Sequence, residues 1–252
     1  MKKTLQYLVS KVKLPATGRK SDSGPLLFNE AVNFERRVIF IAVPKTGTTS
    51  IREQLRIPGR KMIPNPHLTI RQVRDGLYVY LLMQNLGSNR HFPTRETDVL
   101  SDGEIRTQAA DMFQRFFKFA SVRNPWARVV SLYNRREGVQ MADSLDFEAF
   151  CKKLRYASDT CRNPTRSASQ LEWMTGEDGS MLVDYVLRLE DLDAGLREIN
   201  ARTQGRLKLE QRHSNLNPIS TAASYRSMYS DRSRDLVAEI CRRDIEFFGY
   251  EF

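Results

Sequence analysis

Residues Arg37 to Leu55 read RVIFIAVPKTGTTSIREQL, an apolar run joined to an amphipathic stretch through a short hydroxyl-rich loop. The run Val38 to Val43 is apolar throughout and rich in β-branched residues, which predicts a strand buried on both faces of a parallel sheet. A helix is expected from about Thr48. Its first backbone N–H groups have no partner inside the helix, so together with the helix dipole they favour an anion at the loop. Gly47 lets backbone approach such a ligand closely, and Lys45 adds a mobile charge. Thr46, Thr48, Thr49 and Ser50 add amides and hydroxyls, although Thr49 and Ser50 equally suit capping or packing duties. The loop thus fits a phosphate, such as the 5′ end of a nucleotide. It is not a Walker A loop, because the lysine precedes the glycine and no Gly-Lys-Ser/Thr closes a GxxxxG spacing. Ordinary ATPase or GTPase chemistry is correspondingly disfavoured.

A second stretch, Phe116 to Tyr133, reads FFKFASVRNPWARVVSLY: a strand-like run, then Arg123, then Asn124-Pro125, then a helical pattern. Pro125 suits a first helical turn, where a missing N–H costs nothing. Arg123 is placed at the carboxyl end of the strand, and Ser131 follows eight residues later, about two helical turns on and on the same side. A guanidinium and a hydroxyl together make a phosphate clamp. Arg128 falls about 100° to 150° away from both around the helix, which gives it a structural or solvent-facing role. Trp126 reads as a core residue.

PKTGTTS at a strand end resembles the 5′-phosphosulfate loop of sulfotransferases, which use 3′-phosphoadenosine 5′-phosphosulfate (PAPS). VRNPWARVVSLY resembles the 3′-phosphate-binding stretch of the same enzymes, in the VRNPxxRxVSxY form of the carbohydrate, or family 2, group. LVDYVLRLEDL, Leu182 to Leu192, looks like that group's late strand and turn, where an Arg-x-Glu-x-Leu pattern leads into a helix. Tyr225 to Phe252 looks like its closing helix. The similarity runs from about Arg37 to the C-terminus. It implies an α/β fold with a P-loop-NTPase-like central parallel sheet flanked by helices; length and composition give a single domain over residues 31–252 and a basic arm over 1–30. It also implies PAPS as sulfuryl donor, a hydroxyl acceptor that is most often a glycan, and no metal. By the resemblance, Pro44, Lys45, Thr46, Gly47, Thr48, Thr49 and Ser50 cradle the 5′-phosphate, Arg123 and Ser131 hold the 3′-phosphate, and Tyr225 and Arg226 add contacts. The stretch between Pro218 and Tyr225 departs from the more lysine-rich form of the group.

Lysine and arginine number 40 against 30 aspartates and glutamates, a net charge of +10 over 252 residues. That excess suits a multiply charged nucleotide. The basic residues are scattered among acids with no nucleic-acid module, so nucleic acid is not an expected partner. Cys151, Cys161 and Cys241 are widely spaced and read as reduced thiols, not as a disulfide framework or zinc site. No repeat divides the chain, and residues Lys2 to Ser23 hold no apolar run long enough for a signal peptide or membrane span. Here the chain departs from the anchored animal members, and the expectation is a soluble, cytoplasmic enzyme, a bacterial one included; a chain trimmed of its anchor would read the same. The oligomeric state is not legible.

Sulfuryl transfer needs in-line attack, a base for the acceptor proton and positive charge on the departing phosphate. Lys45 meets the last need. For the base, the resemblance points to His67 in NPHLTIRQVRDGL, ahead of a helix starting near Thr69, with His213 and an unassigned Asp or Glu as the other candidates. Acceptor recognition is expected from Tyr78 to Thr107 and Tyr156 to Ser169, which read as loops and insert helices; Arg90, Arg95, Arg155, Arg162 and Arg166 lie in or beside them as anion contacts or, for most of them, solvated surface residues, and His91 is either solvated or an acceptor contact. Two other classes fit the composition less well: a P-loop kinase or NTPase, which would need Mg-ATP, and a non-catalytic polyanion-binding protein.

Overall fold

The computed structural model describes residues 28, 30–56, 67–88, 100–134, 145–158, 167–212 and 225–252. The arm expected over residues 1–30 falls almost wholly outside them, as do His91, Arg90, Arg95, Cys161, Arg162, Arg166 and His213.

Four strands form one sheet in the order β1-β2-β3-β4: β1 Val32–Asn33, β2 Val38–Ile41, β3 Phe117–Val122 and β4 Tyr185–Arg188. β2 runs parallel to β3, with Phe40 opposite Phe119, and β3 parallel to β4, with Ala120 opposite Val186. The expected parallel sheet is therefore present, with one addition. The short β1 pairs antiparallel with β2 through Val32 and Ile39, forming an edge that the apolar pattern of its two residues does not announce.

All four residues of β2 are buried, as expected for a strand covered on both faces. Its side chains alternate between two cores. Ile39, Ile41 and Val43 join Ala120 and Val122 on one face; Val38, Phe40 and Ala42 join Phe119 and Leu187 on the other. The second face is covered by α1, Thr48–Leu55, through Ile51 and Leu55, and by α6, Leu192–Arg202, through Leu196 and Ile199. α6 approaches β4 closely because residue 195 is glycine: a Cβ there would lie 2.2 Å from Leu187 Cδ1.

The first face carries α2, Ile70–Ser88; α3, Asp102–Arg115; α4, Pro125–Tyr133; α5, Phe147–Cys151; α7, Asp231–Ile240; and α8, Arg242–Phe248. Ile70, Val73, Val129, Val130, Phe150 and Val237 meet there. Within the region Tyr78 to Thr107, residues 78–88 and 102–107 are helical, Leu100 and Ser101 are not, and α2 packs against α3. The single closing helix expected near the C-terminus is two, broken at Cys241; Gly249 then ends α8 with φ at 63°, a left-handed cap. Among the described residues, no helix is long and apolar enough to cross a membrane.

Cys151 and Cys241 are free and buried, and burial pushes both thiols up to about 12. Iodoacetamide at mildly alkaline pH should therefore leave both unlabelled in the folded protein and label both in guanidinium chloride. Peptide mapping by mass spectrometry reads the outcome; rapid labelling of either in the folded state would contradict this packing.

Candidate active site

The loops that follow β2, β3 and β4 lie side by side at the carboxyl edge of the sheet, where open α/β folds place ligands. The first is the phosphate loop. α1 begins at Thr48, as the sequence predicts, with Gly47 as its N-cap at φ 75°. Gly47 supplies no side-chain cap, whereas Ser101, Asn124, Asp146 and Ser230 cap α3, α4, α5 and α7 with side-chain oxygens. The first N–H groups of α1 thus lack the satisfaction that these other helices receive. Lys45 is also left-handed, with φ at 67°, a conformation that costs a residue with a Cβ on the order of 1 kcal/mol and that clusters at ligand clamps.

Gly47 serves the protein as well as a ligand. A Cβ there would stand 2.6 Å from Leu189 Cδ1, so the turn after β4 fills the space that glycine leaves. Thr46 is turned inward: its hydroxyl donates to Val43 O at 2.9 Å and meets Ser121 Oγ at 2.6 Å. Pro44 has no N–H, and its carbonyl accepts from Arg128 Nε at 2.8 Å. These two residues shape the loop from within. Lys45, Thr49 and Ser50 are half-buried, Gly47 is exposed and Thr48 is 8% exposed.

Arg128 is the structural residue of the two roles expected for it. It is 1% exposed, and besides Pro44 its guanidinium donates to Ala168 O at 2.6 Å and Ser167 O at 2.9 Å. Full burial lowers its pKa to about 10, with Asp244 pulling the other way, so it is cationic at neutral pH.

Arg123 lies one residue beyond β3 and is 7% exposed; burial lowers its pKa, and Glu190 and Tyr225 offset part of that. It precedes the N-cap of α4, Asn124. Its position is set by the strand end, so the two-turn helical spacing to Ser131 does not apply. Ser131 is half-buried in α4. Pro125 takes the first turn of α4, and Asn124 Oδ1 accepts from the N–H groups of Trp126 and Ala127. Trp126 is a core residue, 4% exposed. The Arg-x-Glu-x-Leu pattern is borne out as strand, turn and helix: Arg188 ends β4, a 3₁₀ turn spans Leu189–Asp191, and α6 begins at Leu192. Its Glu190 accepts from Asn124 N–H at 2.6 Å and from Tyr250 O–H at 3.2 Å, joining the β3 and β4 loops.

His67 reaches the same edge. Its Nδ1 lies 2.6 Å from Ala42 O, immediately before the phosphate loop. A carbonyl only accepts, so Nδ1 carries the proton and the basic lone pair resides on Nε2. The ring packs edge-on against Trp173 at 6.1 Å. α2 follows, with Thr69 and Gln72 exchanging backbone and side-chain bonds at 2.8 and 3.2 Å as in a capping box. Tyr225 is 4% exposed and packs against Phe252, while Arg226 donates to Phe252 O at 3.0 Å. Arg155 is exposed.

The partners of several supporting residues are not legible in the sequence: those of Gln170, Asp244, Ser121 and Glu190 lie far along the chain, although Ser121, Glu190 and Asp244 fall within stretches singled out above.

An α/β sheet whose strand ends present a helix start without a side-chain cap, a lysine and a buried arginine gathers groups suited to an anion at its carboxyl edge. A model of the sulfotransferase family matches residues 31–251, and the chain belongs to that family, in its family 2 type. It is a transferase that moves a sulfuryl group to an acceptor. No curated protein and no solved structure matches the chain.

Gly47→Ala should cost about 1–3 kcal/mol, since it imposes a left-handed alanine and a clash with Leu189. Thermal unfolding measures the loss, and a variant as stable as the parent would show that the loop has a second comfortable conformation.

Proposed function

We propose that the enzyme transfers the sulfuryl group of PAPS to a hydroxyl of a carbohydrate acceptor. The observation that carries this reading is the placement of the Lys45 loop and Arg123 at the adjacent carboxyl ends of the paired strands β2 and β3. The residues fit the donor: the start of α1 lacks a side-chain cap, and the positive φ angles of Lys45 and Gly47 bend the loop around that start. Lys45 and the backbone N–H groups of residues 46–50 would hold the 5′-phosphate. Arg123, with Ser131 on the helix that follows, would hold the 3′-phosphate, and Tyr225 would line the same end, close enough to Arg123 to act on its charge. When bound, PAPS supplies an activated sulfuryl group on a phosphate leaving group.

The protein's own part is electrostatic and acid–base. Lys45 and the α1 amides stabilise negative charge on the departing phosphate; one such donor is worth roughly 10²- to 10³-fold in rate. His67, oriented by Ala42 O, takes the acceptor's proton at Nε2. The carbonyl bond fixes the tautomer that this role requires. A carbohydrate acceptor is supported by the family 2 type of the match and by the placement of a histidine, a base suited to alcohol oxygens, beside the loop.

Calorimetry with 3′-phosphoadenosine 5′-phosphate (PAP), adenosine 5′-monophosphate (AMP) and Mg-ATP at one ionic strength tests the donor. PAP should bind without metal and roughly 10- to 100-fold more tightly than AMP, the worth of charge-assisted bonds to one phosphate. Arg123→Ala should erase most of that difference and leave AMP binding nearly unchanged. Equal affinities for PAP and AMP, or a preference for Mg-ATP, would sink the reading.

His67→Ala should lower turnover by about 10²- to 10⁴-fold, with PAP affinity within about twofold of the parent. Retained turnover in a screen of sulfated products would assign the base elsewhere.

A further inference from the structure

We propose that Gln170 is the positioning residue that gives Arg123 its selectivity for a 3′-phosphate; this rests on the donor proposed above. Arg123 has left the sheet. The β3 register ends at Ala120 opposite Ile41 on one side and at Val122 opposite Arg188 on the other. Both backbone groups of a buried residue at such a place need partners.

Gln170 provides them with one side chain. Arg123 N–H donates to Gln170 Oε1 at 2.8 Å, and Gln170 Nε2 donates to Arg123 O at 2.8 Å. The carboxamide thus copies one residue of a neighbouring strand and holds the peptide units on both sides of Arg123. It is itself anchored. Gln170 is 0% exposed, and its backbone N–H donates to Asp244 Oδ2 at 2.7 Å. Asp244, also 0% exposed, accepts further bonds from Leu171 N–H at 3.1 Å and Tyr156 O–H at 2.7 Å. An anchor on α8 therefore fixes the amide that fixes Arg123.

The consequence is functional because a guanidinium discriminates phosphate by direction. A shift in where its backbone sits misaims the bidentate fork on which that discrimination depends. The nearby Arg128 is held through its side chain, with its charge already directed at carbonyls. For Arg123, Gln170 binds the backbone on both sides of the residue and so acts on where the side chain starts, not on the guanidinium itself.

The test compares PAP with AMP for the parent, Gln170→Met and Gln170→Glu, each well below its melting temperature. Methionine keeps length and apolar bulk but makes neither bond. It should lower the PAP-to-AMP affinity ratio by about tenfold or more, with AMP affinity within about twofold of the parent. Glutamate keeps the acceptor for Arg123 N–H, yet when ionised turns a second acceptor toward Arg123 O. It should lose the ratio at neutral pH and regain it, relative to the parent at each pH, as the carboxyl protonates and donates again. A lower melting temperature with the ratio intact in both variants would overturn the proposal and leave Gln170 a packing residue. If the methionine variant does not fold, an unchanged ratio in the glutamate variant at neutral pH overturns it alone. A parent protein that binds PAP and AMP equally would instead overturn the assignment of Arg123 to the 3′-phosphate, a different failure visible before any variant is made.

Discussion

The site depends on one buried cation. Arg128 places its charge among three carbonyls, those of Pro44, Ser167 and Ala168, from segments 84, 39 and 40 residues away in sequence. Burying a guanidinium costs several kcal/mol, and here the compensation comes from carbonyl dipoles together with the charge of Asp244. An apolar side chain of similar size would avoid that cost but leave three buried carbonyls unpaired, at about 1–3 kcal/mol each. What the arrangement secures is position. The carbonyl of Pro44 immediately precedes Lys45, so the backbone of the phosphate loop is held from inside the protein before any ligand arrives.

That internal hold explains how the loop sustains its strain. Lys45 and Gly47 both adopt positive φ, and a left-handed lysine persists only where its surroundings over-determine it. The constraints are countable and distinct: Arg128 on Pro44, Ser121 and Val43 on the hydroxyl of Thr46, and Leu189 in the space beside Gly47. None uses the amides at the start of α1. The loop is held through its inward groups, and for the proposed ligand that hold lowers the ordering cost of binding.

The sequence made the ligand-facing half of this design readable, and the reason is local. A phosphate loop needs glycine, lysine and helix-start amides within a few residues, and the β3–α4 turn needs arginine, then a cap, then proline; both are contiguous and so visible as words. The two-sided burial of β2 and the start of α1 at Thr48 were readable for the same reason. The inward half was not. Gln170 acts on Arg123 across 47 residues, Asp244 on Gln170 across 74 and Glu190 on Asn124 across 66. Each is a single polar side chain whose distant partner no spacing in the sequence announces. The break of the closing helix at Cys241 escaped for another reason, since no proline or glycine marks it.

The same long reach ties the site to the end of the chain. Residues 244–252 supply Asp244 to Gln170, the carbonyl of Glu251 to Asn124 Nδ2 at 2.7 Å, the carbonyl of Phe248 to Arg188 and the ring of Phe252 to Trp126. Three of the strand-end residues beside the proposed nucleotide are thus held, directly or through Gln170, by groups from the last helix and its tail. The observed geometry of Arg123 and Asn124 requires α8 and its tail to be docked. Binding at the sheet edge therefore draws on the stability of a distant segment, and α8 is part of the site although none of its residues is assigned to touch a ligand.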